Sequence, residues 1–142
     1  MKRILSVLAI CTVLLTACGK AKTGDYDINL IAGDIYDPSM IYSLAVQIVQ
    51  EPKNYAGKTV SAEGIIFEDF EDVTVIEIAD TKGCCYQNVP VRMGELRSQV
   101  TADEVYNVYG SFQLDDQGNI YIAVEKMERS TIYDLDLDAA ES

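Results

Sequence analysis

Two adjacent cysteines, Cys84 and Cys85, are the residues best suited to chemistry, because thiolates act as nucleophiles, redox groups and ligands for soft metals. In a regular strand their side chains would point to opposite faces and serve only packing. A backbone bend at Gly83 would instead let the sulfurs join as a strained, easily reduced vicinal disulfide. The two thiolates could also bind a soft metal, with Asp80 or another carboxylate completing the set of ligands. An inter-chain disulfide is a further alternative. With Tyr86, which follows directly, these residues form the candidate ligand, redox or metal site.

A second group of candidates consists of carboxylates on one short segment. Glu68, Asp69, Glu71 and Asp72 offer the oxygen ligands that Ca²⁺ prefers. The segment lacks the ligand order of a dedicated calcium loop, however, and a solvated hairpin turn explains it more simply. Residues 115–119 have the composition of a similar turn. We treat the carboxylates as weak metal candidates.

Composition excludes several classes of function. Histidine is absent, which removes Ser-His-Asp and Cys-His catalysis and imidazole-based metal sites. With no catalytic constellation left, we expect a protein that is not an enzyme and holds no cofactor. The 23 acidic and 11 basic residues give a formal net charge of −12. Such a surface repels phosphate backbones, so nucleic acid is not an expected partner.

The first 17 residues have the pattern of an export signal. A basic Lys2-Arg3 pair precedes an apolar run of about 12 residues, which is too short to span a bilayer. The segment Leu15-Thr16-Ala17-Cys18 resembles the lipobox of bacterial lipoproteins, in which this cysteine is acylated and begins the mature chain. The resemblance implies a protein anchored in the cell membrane through Cys18, on the extracytoplasmic face. An ordinary secretory signal cleaved elsewhere is the alternative.

The rest of the chain predicts one helix and then several strands. The segment Asp37-Pro38-Ser39 is a typical helix start, apolar residues follow at helical spacing, and Pro52 ends the helix. Alternation of apolar and polar residues then predicts five strands. They cover about residues 59–67, 73–79, 84–93, 104–114 and 120–127, with a short helical turn expected within 94–103. Gly64 and Gly110 lie inside two of these strands and mark bulges or bends that curl a strand around a small barrel.

The pattern Tyr55-x-Gly57-Lys58-x-Val60-x-x-x-Gly64 before a hairpin resembles the opening of OB-fold domains, of the tRNA-anticodon-like type, in bacterial envelope proteins. The segment 79–85, with its aspartate, glycine and paired cysteines, is similar to uncharacterised bacterial lipoproteins. The resemblance implies a mostly β protein, a five-stranded OB-fold-like Greek-key barrel with an N-terminal helix packed on it. We expect a signal peptide at 1–17, a tether at 18–36, the domain at 37–130 and an acidic tail at 131–142.

The expected function is non-catalytic. The domain would bind a small ligand, an ion or an envelope protein on the barrel face near Cys84, Cys85 and Tyr86. The alternative is a redox-active or metal-handling protein that uses Cys84 and Cys85.

Overall fold

The fold is that of a computed structural model, which describes residues 25–32, 37–69, 71, 73–80 and 84–131. The described chain is mostly β, as the sequence predicts. Its main elements are β1 (Ile28–Leu30), α1 (Pro38–Gln50), β2 (Thr59–Glu68), β3 (Thr74–Ala79), β4 (Tyr86–Arg92), β5 (Val105–Leu114) and β6 (Ile120–Arg129). Two short 3₁₀ helices, Pro52–Asn54 and Gly94–Gln99, connect them, and the second is the helical turn expected within 94–103.

Five strands pair in a closed ring. Strand β2 pairs antiparallel with both β3 and β5, β3 pairs antiparallel with β4, and β5 pairs antiparallel with β6. A parallel pairing between β4 and β6 completes the ring. This arrangement is compatible with a barrel-like β fold.

The sheet has six strands rather than the five predicted, because Ile28–Leu30 pairs parallel to β2. This strand lies within the segment 18–36 that the sequence predicts as a tether. The carboxylate of Asp27 accepts hydrogen bonds from the backbone N–H and the hydroxyl of Thr59, both at 2.9 Å. Leu30 is only 1% exposed. The folded unit therefore begins before residue 37, where the predicted domain started.

Helix α1 packs against β1, β3 and β4. Asp37 caps its first turn by accepting a hydrogen bond of 2.8 Å from the backbone N–H of Ser39, and Pro38 occupies the first helical position. The buried face, formed by Ile41, Ala45 and Ile48, joins the hydrophobic core. The predicted helix is confirmed. No helix among the described residues has the length and apolar character needed to cross a membrane.

The interior of the ring is filled by apolar side chains, of which Phe112 is the largest that is fully buried. Strand β6 carries a bulge at Glu125 opposite Gly110, since Tyr109 pairs with Lys126 and the next residue of β5, Gly110, pairs with Val124. A Cβ atom at Gly110 would overlap the backbone carbonyl of Ala123 on β6. The close approach of two backbones thus explains the glycine that the sequence marks as a bend.

Several sequence-based predictions concern residues that the structure does not describe. The signal peptide at 1–17, the acylation site Cys18, the carboxylate Asp72 and nearly all of the acidic tail at 131–142 lie outside the described ranges. They remain predictions.

Candidate functional site

The cysteine pair lies in the loop between β3 and β4, just before β4 begins at Tyr86 rather than at Cys84 as predicted. Asp80 follows the last residue of β3, and the antiparallel ladder brings this strand end beside the start of β4. The backbone N–H of Asp80 donates to the carbonyl of Cys85 at 3.0 Å. The backbone N–H of Cys84 donates to Oδ1 of Asp80 at 3.1 Å. Asp80 therefore closes the loop with both its backbone and its side chain.

The two sulfur atoms lie 3.7 Å apart, and Sγ of Cys84 is 3.4 Å from Oδ2 of Asp80. Both thiols are free and exposed. Because neither cysteine is part of the strand, the side chains do not alternate between opposite faces. One ligand atom from each of Asp80, Cys84 and Cys85 can be chosen so that all three lie within 4.8 Å of one another. We call these three residues the thiol cluster.

Hydrogen bonding within the thiol cluster changes the acidity of one thiol. The hydrogen bond with the Cys85 thiol, followed by the one with the Asp80 carboxylate, raises the pKa of Cys84 to about 11. The thiol is therefore protonated at neutral pH, whereas nucleophilic attack and disulfide exchange need the thiolate. Metal binding needs the thiolate as well, so the raised pKa of Cys84 opposes redox chemistry and metal binding alike until a bound cation displaces the proton.

Tyr86 is 53% exposed and stands opposite Ala79 on β3. Together with Asp80 it lines a cavity of about 670 Å³ that extends along β2 to Glu63. Glu63 was not predicted as a site residue. Its half-buried carboxylate accepts a hydrogen bond of 2.8 Å from the hydroxyl of Ser130. Burial raises the pKa of Glu63 and outweighs the opposing effect of Ser130.

We expect Glu63→Gln to remove a pH dependence of stability. Because the pKa of Glu63 is raised on folding, the folded state binds more protons than the unfolded state above the ordinary glutamate pKa. The contribution of Glu63 to wild-type stability should therefore fall as pH rises from about 4.3 through its folded-state pKa. The variant should melt at a modestly higher temperature than the wild type at pH 7, and the difference should shrink at pH 4.

Thermal unfolding followed by circular dichroism at both values of pH would measure this. The exposed Glu95, changed to glutamine, is the matched control for the loss of one carboxylate charge. If Glu63→Gln showed the same pH dependence of stability as the wild type, the Glu63 carboxylate of the wild type would have the same pKa in the folded and the unfolded state.

A larger groove of about 830 Å³ lies beside the opposite end of β4. One side is the loop between β2 and β3, and the other is the turn between β5 and β6. We call it the arginine groove, after Arg92 and Arg97, which are the only arginines between residues 4 and 128. Its polar lining residues are Asp69, Glu71, Thr74, Asn88, Arg92, Arg97, Asp115, Asn119 and Tyr121.

The two arginines of the groove are held differently. The guanidinium of Arg92 lies 3.9 Å from the ring centroid of Tyr121, a cation–π distance. Arg97 donates from Nη2 to Oε1 of Glu68 at 3.1 Å. The Nε of Arg97 is buried and has no hydrogen-bond partner in the part of the chain that the structure describes.

The described members of the carboxylate cluster mainly build structure. Oδ1 of Asp69 accepts from the backbone N–H groups of Glu71 and Val73, at 2.9 and 3.1 Å, and so closes the turn. Glu68 is engaged with Arg97. Asp115 closes the β5–β6 turn in the same way, by accepting from the N–H groups of residues 117 and 119. These hydrogen bonds fit the simpler interpretation of both segments as turns.

Sequence reasoning missed Arg92 and Arg97, because the groove that they line exists only after β4 and β6 pair. One signal was available in the sequence: these two residues are the only arginines in the long acidic stretch between residues 4 and 128.

In comparisons with known proteins, no family model matches the chain, and no curated protein sequence matches it significantly.

Proposed function

We propose that this protein is a membrane-anchored extracytoplasmic lipoprotein whose domain is a non-catalytic, OB-fold-like module that binds a small polar ligand in the arginine groove. The lipobox-like segment ending at Cys18 supports the anchor, and the absence of histidine from the chain supports a non-catalytic role. Acyl chains on Cys18 would hold the protein durably at the membrane, since each buried CH₂ contributes about 0.8 kcal/mol.

The order of strand pairing supports the OB-fold part of the proposal. An OB-fold is a five-stranded, partly open Greek-key barrel whose ligands bind on the face of strands 2 and 3, between the loops that follow strands 1 and 4. If β2 is counted as the first strand, the corresponding elements are β3, β4, the β2–β3 loop and the β5–β6 turn. These four elements all contribute to the arginine groove. Strand β1 is then an addition to the barrel.

The observation that carries the ligand assignment is that the groove is lined by two arginines, Arg92 and Arg97. Guanidinium groups bind carboxylates and phosphates through two parallel hydrogen bonds. The carboxylates of Asp69 and Glu71 accept hydrogen bonds from hydroxyl groups and repel an extended polyanion. A small ligand with several hydroxyl groups and one anionic group, such as an acidic sugar, fits this combination.

We expect acidic sugars to bind the full-length protein in detergent, and we expect Arg92→Gln to weaken this binding about 10- to 100-fold. Hydrogen bonds to charged groups contribute about 1.5–3 kcal/mol, which corresponds to that range. Isothermal titration calorimetry with a uronic-acid oligosaccharide and with its neutral counterpart would measure the effect. The intact mass of the same membrane-extracted sample reports whether Cys18 carries acyl groups.

Arg129→Gln is the matched control, since Arg129 is the last residue of β6 and pairs with Glu104 at 3.4 Å, away from the groove. Its affinity should equal that of the wild type. Equal binding of the acidic and neutral sugars, or an equal loss in both arginine variants, would contradict the groove as an anion-recognising site. Failure of every sugar to bind would contradict the ligand class.

A further inference from the structure

We propose that Asp80, Cys84 and Cys85 form a site for one thiophilic divalent cation of the zinc type. Two thiolates and one carboxylate oxygen would occupy three tetrahedral positions, and water or an outside ligand would occupy the fourth. This site lies in the β3–β4 loop, and none of its three residues lines the arginine groove. It is therefore a second function, independent of the ligand proposed for that groove.

The spacing of the ligand atoms matches tetrahedral coordination. With Zn–S bonds of about 2.3 Å, two sulfurs of a tetrahedron lie about 3.8 Å apart, and with a Zn–O bond of about 2.1 Å a sulfur and an oxygen lie about 3.6 Å apart. The observed separations are 3.7 Å between the two Sγ atoms and 3.4 Å between Sγ of Cys84 and Oδ2 of Asp80. Two of the three separations therefore match the tetrahedral values closely, and the third, between Cys85 and Asp80, is no more than 4.8 Å.

The carboxylate is oriented before any cation arrives. One oxygen of Asp80, Oδ1, accepts the backbone N–H of Cys84, and the other, Oδ2, faces the Sγ atom of the same residue. The backbone of Asp80 also holds the carbonyl of Cys85. In established metal sites, hydrogen bonds of this kind orient the residues that bind the metal directly. The loop therefore presents a prepared set of three ligands rather than three independent side chains.

The ligand types select the class of cation. Thiolates favour zinc and cadmium over Ca²⁺ and Mg²⁺, which take oxygen ligands in larger number. Each thiol that binds gives its proton to solvent and its sulfur lone pair to the cation, and no electron is transferred. Both cysteines are exposed, so a cation has direct access, and the net charge of −12 attracts it. A three-ligand, solvent-open site suits reversible capture better than permanent structural binding.

Cadmium titration of the full-length, anaerobically purified protein tests the proposal. We expect one Cd²⁺ per chain, a thiolate-to-Cd²⁺ charge-transfer absorption in the ultraviolet, and competition by Zn²⁺ but not by Ca²⁺. The double variant C84S/C85S should lose the absorption of this site. Asp80→Asn should keep the absorption but bind at least about tenfold more weakly, since even outer-shell changes cost roughly 10- to 100-fold.

Asp37→Asn is the matched control, because Oδ1 of Asp37 also accepts a backbone N–H group, that of Ser39, and Asp37 is not part of the thiol cluster. It should bind Cd²⁺ like the wild type. Absence of the absorption, its persistence in the double variant, or one cation shared by two chains would overturn the proposal. So would equal affinity of the Asp80 variant and the wild type.

A second measurement avoids substitution altogether. The cadmium nuclear magnetic resonance shift of the wild-type complex reports how many sulfurs bind the cation, so the result does not depend on whether a variant folds. A shift typical of two sulfurs supports the site, and one typical of oxygen ligands alone overturns it.

Discussion

The variant Phe112→Ala is expected to lose about 3–5 kcal/mol of unfolding free energy, the range for deleting a large buried aromatic side chain. Phe112 is 0% exposed and makes an edge-to-face contact with Tyr55 at a centroid distance of 6.5 Å. Its backbone N–H and C=O also join β5 to the segment before β2 through Lys58 and Gly57. Since single domains are stable by only about 5–15 kcal/mol, the loss would approach global unfolding.

Urea unfolding followed by circular dichroism measures this loss. Phe112→Leu keeps most of the apolar volume and should lose clearly less than the alanine variant. Met40→Ala removes a side chain that is 58% exposed on α1 and should change stability by no more than about 0.5 kcal/mol. If Phe112→Ala were as mild as Met40→Ala, Phe112 would not occupy the centre of the core.

The second large effect is expected at Gly110, where a single added methyl group should cost about 3 kcal/mol. A Cβ atom there would overlap the carbonyl oxygen of Ala123, which is backbone and cannot rotate away. To relieve the overlap, β5 and β6 must separate at the bulge, and overpacking of this kind costs about 1–3 kcal/mol or more. Urea unfolding of Gly110→Ala measures the effect.

Gly118→Ala separates this overlap from the ordinary effect of losing a glycine. Gly118 has φ of +85° in the β5–β6 turn, and a Cβ atom there would meet no atom within 4 Å. The alanine variant should therefore lose only the energy of holding a residue with a Cβ atom in the left-handed backbone conformation, about 1–2 kcal/mol. A cost at Gly110 equal to or below that at Gly118 would show that the two strands separate there with little penalty.

Local sequence patterns predicted the elements whose own residues carry the signal. Helix α1 has a cap, a proline start and one apolar face, and β5 and β6 have long alternating runs. Strand β1 has only three residues and is held by Asp27 binding Thr59, 32 positions later in the chain. No local pattern contains that contact, so the sixth strand was missed.

For the same reason, the sequence predicted the residues of the candidate site but not their arrangement. The sequence identified Asp80, Cys84 and Cys85 but left several arrangements open, because the arrangement depends on whether β4 starts at residue 84 or at residue 86. This difference of two residues in the strand boundary decides whether the two sulfur atoms point to opposite faces of the sheet or lie next to each other. The boundary depends on Asp80 binding the loop backbone at both ends, a contact that strand periodicity does not describe.

If Cys18 is acylated as proposed, strand β1 limits how far the domain can lie from the bilayer. With Cys18 acylated as proposed, only residues 19–27 separate the lipid from the sheet, since Ile28–Leu30 is already part of it. Ten consecutive peptide links extend to at most about 35 Å, little more than half of what the same chain would allow if it were free up to residue 36. Molecules that meet this protein would then do so within a thin layer next to the lipid headgroups.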